Sequence, residues 1–235
     1  MALIQGMPMI GHCFERSKLC KQLDEVYVAT CDEEIKNYIE SIGGKAIMTS
    51  DEHERATERS AEALLNIEKL TGQTFDIVVM IQGDEPLIFP EMIEEVLEPM
   101  LNNHVPVSNL MAALPTQEER DNPNNVKVAK DFNGRALYLS REAIPSKQKY
   151  NDKIDAFRQL GLIAFTKEAL LQFVSLKPSP LEIIESVDMN RFLEYGVPIQ
   201  MVKTKFEADS VDTPEDLVRV EKKMVNDSIY IKYQK

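Results

Sequence analysis

The residues with the most chemical promise are Gln82-Gly83-Asp84-Glu85-Pro86, directly behind the apolar run Ile77-Val78-Val79-Met80-Ile81. A β-branched run that stops at Gly, Asp and Pro reads as a buried strand opening into a loop. In open α/β sheets, ligands bind outside the carboxyl ends of the strands. A second acidic loop, Val211-Asp212-Thr213-Pro214-Glu215-Asp216, ends another apolar approach far along the chain. Two strand-end carboxylates can hold Mg²⁺ against a nucleoside triphosphate. Each loop also has a plainer reading. Gly-Asp-Glu-Pro makes a tight turn, and Thr213-Pro214-Glu215 is an N-cap, a first-turn proline and an acidic first turn.

The other polar candidates are weaker. His53 is one of three histidines and has no ligand-spaced partner. Arg55 and Arg59 stand near a helix start with Thr57 and Glu58, where a solvated face is the simplest reading. Glu182, Glu185 and Asp188 recur every three residues, along one face of a helix. Such a stripe is ordinarily solvated, and with Arg191 it gains interest only if it faces a cleft. Neither familiar glycine-rich phosphate loop is present.

The elements that must position these residues alternate through the first hundred or so residues. Helices are expected over Met9 to about Cys20, Glu33 to Ser41 behind an Asp32 cap, Thr57 to about Leu70, and Pro90 to Leu101. Between them, Val26–Thr30, Ala46–Met48 and Ile77–Ile81 read as strands, the pattern of a doubly wound parallel sheet. Beyond this the pattern changes. Val126–Ala129 and Ala136–Leu139 flank Asp131-Phe132-Asn133-Gly134, a hairpin signal. Leu160–Phe165 reads as a strand, followed by helices from Lys167 and from Pro180, the second running to Tyr195. Ile199–Lys205 is a late strand, and Pro214 opens a helix through Val225. The opening Met1–Gly6 reads as the tail of a strand or loop. No composition shift marks a boundary, so residues 1–235 read as one domain, the second half resembling an edge insertion.

Composition excludes several classes. With 27 basic and 39 acidic side chains the formal charge is −12, which argues against a nucleic-acid binder and against electrostatic attachment to membranes. Nothing approaches the ~18 apolar residues of a membrane span. Cys13, Cys20 and Cys31 are odd in number without metal-knuckle spacing, which reads as reduced and cytoplasmic.

Along nearly its whole length the chain resembles the 3-deoxy-manno-octulosonate cytidylyltransferase family. The matching pieces are Pro8-Met9-Ile10 with Glu15-Arg16, Val28-Ala29-Thr30, Met48-Thr49, Thr57-Glu58-Arg59 with Ala61-Glu62, and Gln82 to Pro86. They continue through Asn122-Pro123-Asn124 with Val126-Lys127-Val128, and Ala136-Leu137-Tyr138 with Ser140-Arg141 and Ile144-Pro145. Pro178 to Glu182 with Ile184-Glu185, and Val211 to Leu217, complete the set. The resemblance implies an α/β, Rossmann-like nucleotide-diphospho-sugar transferase fold, with a mixed, mostly parallel sheet and an inserted dimerisation region. It implies transfer of CMP from CTP to a 2-keto-3-deoxy sugar acid, pyrophosphate release, a role in lipopolysaccharide synthesis, and a homodimer. Residue by residue, it implies Mg²⁺ at Asp84 and Asp212, nucleotide contacts at Thr57, Arg59 and Asp84, and sugar-acid contacts at Gln82, Arg141, Gln159 and Glu185. A guanidinium at Arg141 suits a carboxylate, which it can grip through two hydrogen bonds.

The sequence departs from that pattern at three places. The family opens with a strand and a loop of Arg, Ser and Lys residues around the triphosphate. This chain starts after that Lys, a difference of roughly twenty residues, the length of a strand and a long loop. Gln159 and Ile163 stand where the family has His and Tyr, and Arg55-Ala56 replaces a small Ser-Gly pair. Two alternatives therefore stay open: a cytidylyltransferase for another acidic sugar, such as a nonulosonate or amino-octulosonate, or a non-catalytic remnant that keeps the fold.

Overall fold

The computed structural model describes residues 1–147, 149, 155–207 and 209–234. The chain forms two compact units, Met1–Glu94 with Ala208–Lys235, and Glu95–Glu207.

The first unit opens with a short antiparallel pair, β1 (Leu3–Ile4) and β2 (Met7–Pro8), turned by Gln5 and Gly6 at positive φ. Pro8 caps α1 (Met9–Lys18), where its missing N–H costs no helical bond. Then follow β3 (Tyr27–Thr30), α2 (Glu33–Ser41) and β4 (Lys45–Met48). As expected, Asp32 caps α2 by accepting from the Glu34 amide. β3 and β4 pair in parallel, and Phe14, Val28 and Ile39 form a core between strand and helices. α3 (Ala56–Thr71) ends at Gly72, whose φ of 72° only glycine adopts without strain. β5 (Ile77–Ile81) leads into the Gln82–Pro86 loop, and α4 (Pro90–Asn103) carries the chain into the second unit.

The second unit holds β6 (Val107–Ala113), α5 (Gln117–Asp121), β7 (Lys127–Lys130), β8 (Ala136–Ser140), β9 (Phe157–Thr166), α6 (Lys167–Ser175), α7 (Pro180–Glu185), α8 (Met189–Glu194) and β10 (Ile199–Lys203). Its strands lie in the order β10-β6-β9-β7-β8. β10 and β6 run parallel; β6–β9, β7–β8 and β7–β9 are antiparallel, which makes the sheet mixed. The Asn-Gly hairpin forms as read, with Gly134 at φ 81°. Phe165, Phe173 and Phe192 stack at 5.1–6.4 Å between sheet and helices. The chain then returns to the first unit through α9 (Pro214–Met224) and a 3₁₀ turn, Tyr230–Lys232.

Three features differ from the sequence reading. β6 was not anticipated: Val107–Ala112 is buried on both faces and mixes Ser and Asn with apolar residues, so it shows neither alternation nor a β-branched run. The helix expected from Pro180 to Tyr195 is two helices, broken at Ser186 in a left-handed conformation (φ 51°). Arg141 donates to the carbonyls of Glu185 and Ser186 there, so these groups need no further helical turn. Finally, Glu182, Glu185 and Asp188 are no solvated stripe. Glu182 is buried and accepts a two-pronged bond from buried Arg191 at 2.6 and 2.7 Å, while Glu185 turns to β8.

Candidate active site

In the first unit, β5 delivers Gly83 and Asp84 to a loop pinned from both sides. A Cβ on Gly83 would meet the Ile10 Cδ1 at 3.2 Å, so the backbone approaches α1 closely. The Cys13 thiol donates to the Gly83 carbonyl at 3.4 Å. From the other side, the Val211 amide donates to the Asp84 carbonyl at 2.9 Å. That bond sets Asp212, the next residue, beside Asp84, so the two loops picked out in the sequence meet in space.

Asp84 Oδ1 is buried and accepts no hydrogen bond among the described residues. Burial pushes the Asp84 carboxyl above the usual carboxylate range, a hydrogen bond from its own amide opposes this, and the Asp212 charge adds to it. A buried carboxylate oxygen without a donor is costly and calls for a cation. Among the described residues no cluster of three or more His, Cys, Asp or Glu side chains could hold a metal ion. A two-carboxylate site nevertheless suits Mg²⁺, which binds through one or two carboxylates and completes its shell with water and phosphate oxygens. Asp84 and Asp212 therefore fit such an ion.

Local chemistry fixes Asp212. Thr213 caps α9, and its hydroxyl and the Asp216 carboxylate exchange bonds with each other's backbone in a capping box. The Asp216 carboxylate also accepts from the Asp212 amide at 3.3 Å. Burial alone would raise the Asp216 carboxyl, but hydrogen bonds from Thr213 and Arg219 hold it below the ordinary range.

The expected nucleotide residues sit on α3. Thr57 is wholly buried, with its hydroxyl against the Met80 sulfur of β5. Arg59 is no solvated face residue: it donates to the Thr49 hydroxyl (2.6 Å) and to the Ser50 (3.1 Å) and His53 (3.4 Å) carbonyls. Glu62 accepts from the Ser50 amide and from His53, giving His53 the partner its sequence context did not show. Arg59 and Glu62 thus clamp the 49–53 loop onto the start of α3. The Gln82 carbonyl accepts from the Glu85 amide, closing the turn that carries Asp84.

The second unit gathers Arg141, Glu185, Tyr138 and Ser140 at the end of β8. The Glu185 carboxylate accepts from the Tyr138 hydroxyl (2.5 Å), the Ser140 hydroxyl (2.8 Å) and the Arg141 amide (2.8 Å). Burial alone would raise Glu185; these bonds and the Arg141 charge outweigh it and hold the carboxyl low. The Arg141 guanidinium donates from Nε to the Glu185 carbonyl, from Nη1 to Pro123 and from Nη2 to Ser186. Three of its five N–H groups are thereby oriented, and among the described residues two remain for a planar anion. Gln159 donates to the Oδ1 of Asn109 at 2.7 Å. Ile163 is buried, opposite Asn109 across β6 and β9. Sequence reasoning gave Tyr138, Ser140 and Asn109 no site role: the first two lie at or beside an expected strand, and Asn109 lies on the unanticipated β6.

The mixed α/β chain, with its two strand-end aspartates brought together, has a nucleotide-diphospho-sugar transferase fold. One solved structure, of CMP:2-keto-3-deoxy-manno-octonic acid synthetase complexed with CTP, superposes with a TM-score of 0.85 at 32% identity, covering 95% of this chain and 90% of that one. The profile of the cytidylyltransferase family matches residues 1–205, and the chain belongs to that family. Curated relatives agree. The 3-deoxy-manno-octulosonate cytidylyltransferase of Thermodesulfovibrio yellowstonii is 39% identical over 229 residues, covering 94% of this chain and 90% of the relative. That of Desulfatibacillum aliphaticivorans is 40% identical over 222 residues, covering 94% and 89%.

Proposed function

We propose that this cytidylyltransferase moves CMP from CTP to the anomeric hydroxyl of a 2-keto-3-deoxy sugar acid, with 3-deoxy-manno-octulosonate the favoured acceptor, in lipopolysaccharide synthesis. The carrying observation is the buried, donor-less Oδ1 of Asp84 beside Asp212. In the reaction the acceptor oxygen bonds to the α-phosphorus, the bond to pyrophosphate breaks, and the hydroxyl proton leaves to solvent. Asp84 and Asp212 would hold Mg²⁺, which neutralises phosphate charge as it builds. Thr57 and Arg59 serve the nucleotide, Arg59 by fixing the 49–53 loop. Gln82, Arg141, Gln159 and Glu185 serve the sugar acid. Arg141 grips its carboxylate with the two N–H groups left over, and Glu185 sets the β8 end from which Arg141 projects.

The same reading extends to a cytoplasmic homodimer. The cysteines are free, and Phe132, Leu137, Ile183 and Ile184 expose apolar surface that a second copy would cover. Sedimentation at micromolar concentration checks the dimer.

One observation favours a second acceptor. Gln159 is engaged by Asn109 and Ile163 is buried, so two family hydrogen-bonding groups are replaced. An acid with a modified or less polar group there would lose less on binding. The experiment is pyrophosphate release from CTP and Mg²⁺ with a panel of octulosonates and nonulosonates, alongside calorimetric titration of CTP. Acid-dependent release is expected, strongest for one member of the panel. Absence of both CTP binding and acid-dependent release would sink the proposal.

A further inference from the structure

Lys127, on β7, is wholly buried, yet no acidic side chain lies within ion-pair distance among the described residues. Its ammonium donates to the carbonyls of Asn122 (2.9 Å) and Asn125 (2.8 Å), and also to that of Arg141. These use all three of its hydrogens. The acceptors belong to two segments. Asn122 and Asn125 bracket a turn closed by the Asn125 amide on the Asn122 carbonyl, while Arg141 directly follows β8. The middle of that turn, the Pro123 carbonyl, is where the Arg141 Nη1 lands at 3.0 Å.

We infer that Lys127 is a positioning residue for Arg141, tying the Asn122–Asn125 turn to the β8 end so that the guanidinium presents its remaining N–H groups in one orientation. Charge is what makes the tie strong. Carbonyls bonded to an ammonium are held more firmly than those bonded to a neutral donor, and three carbonyls are what a desolvated ammonium without a carboxylate requires. Burial lowers the Lys127 pKa and the Arg141 charge adds to this, while the Glu142, Asp121 and Glu185 charges work against it. A methionine would fill the same volume but take the ammonium from all three carbonyls, leaving Asn122 only the Asn125 amide, so the turn and the strand end would separate. The arrangement acts at the acceptor end alone, as CTP contacts are assigned to the first unit; this inference rests on the sugar-acid reading of Arg141.

Lys127→Met, Arg141→Gln and the double variant are titrated calorimetrically with 3-deoxy-manno-octulosonate and, separately, with CTP and Mg²⁺. Lys127→Met is expected to weaken the sugar acid about tenfold or more and to leave CTP unchanged within about twofold. Added to Arg141→Gln, it should cost the acid nothing further, because it acts through that side chain; additive losses would overturn the inference. Backbone hydrogen exchange supplies an arm free of substrate. Exchange at the Asn125 and Arg141 amides should accelerate in Lys127→Met while β10 amides keep parent rates, and parent rates at both would overturn it too. A parent chain that ignores the acid but shows the exchange change would instead refute the substrate reading. Lys127→Gln, which retains amide donors, should fall between parent and methionine, and loss of the folded state in both variants would overturn the positioning role.

Discussion

At the scale of single residues the Asp84 carboxylate carries opposed demands. Its burial and the Asp212 charge both favour the neutral acid, whereas metal binding needs the anion. Its folded-state pKa lies above the unfolded one, so this group favours the native state at low pH and weighs against it once the pH has risen past both values. Asp84→Asn is therefore expected to melt at or above the parent at neutral pH, an advantage that fades on acidification. The same variant should lose Mg²⁺-dependent CTP binding and most turnover, and a parent-like rate at low Mg²⁺ would disprove the metal assignment. In the parent, Mg²⁺-dependent CTP binding should weaken on acidification at a higher pH than an unperturbed aspartate allows. Ile163 makes a different residue-scale point. The family's Tyr could not replace it without displacing its neighbours, so Ile163→Tyr should destabilise by about 1–3 kcal/mol, read as a lower urea midpoint.

Elements supply the next level of control. α7 and α8 are short and meet at a left-handed serine, so their stability rests on the buried Glu182–Arg191 pair. Glu182→Ala removes the buried carboxylate that takes two Arg191 N–H bonds and should cost about 3–5 kcal/mol. Loss of that pair would also loosen Glu185 and hence the β8 end, so sugar-acid affinity should fall while the CTP affinity of a still-folded fraction holds. α9 is simpler. Thr213 supplies its capping hydroxyl immediately after Asp212, and Thr213→Ala should lower the urea midpoint by the equivalent of about 1 kcal/mol without changing the slope. Mg²⁺ affinity should drop with it, because the Asp212 backbone is anchored through the same Asp216 carboxylate.

On the scale of the whole molecule, the first unit is assembled from both ends of the chain. Arg16, fully buried on α1, donates to Asp227 at 2.6 Å and to the Tyr233 hydroxyl at 3.0 Å. His12 contacts the same hydroxyl and the Ile4 carbonyl, each at 2.8 Å. Ile4, Leu87, Val220 and Met224 share one apolar cluster, so the segment carrying Asp212 packs against the segment that follows Asp84. A ligand that engages both aspartates should then stabilise this unit as a body. At a hundred times its dissociation constant, CTP with Mg²⁺ should contribute about 2.7 kcal/mol, and a scanning melt should shift upward by several degrees in the parent and not in Asp84→Asn.

The amino-acid sequence alone determined whatever depends on neighbours along the chain. The helices capped by Asp32 and Thr213, the Asn-Gly hairpin, the β5 run ending in Asp84 and the family resemblance are local patterns, and local sterics and hydrogen bonding suffice to form them. Tertiary structure decided what depends on partners distant in sequence. β6 carries no pattern of its own because both of its faces are buried. The Pro180 helix breaks because Arg141, from another element, takes the carbonyls that would have continued it. Arg59 and Glu182 read as ordinary surface charges, since a side chain's type does not record whether water or protein will solvate it. Only the folded chain brings the carbonyls and carboxylates that make burial of those charges tolerable, and those same contacts orient the residues assigned to substrate.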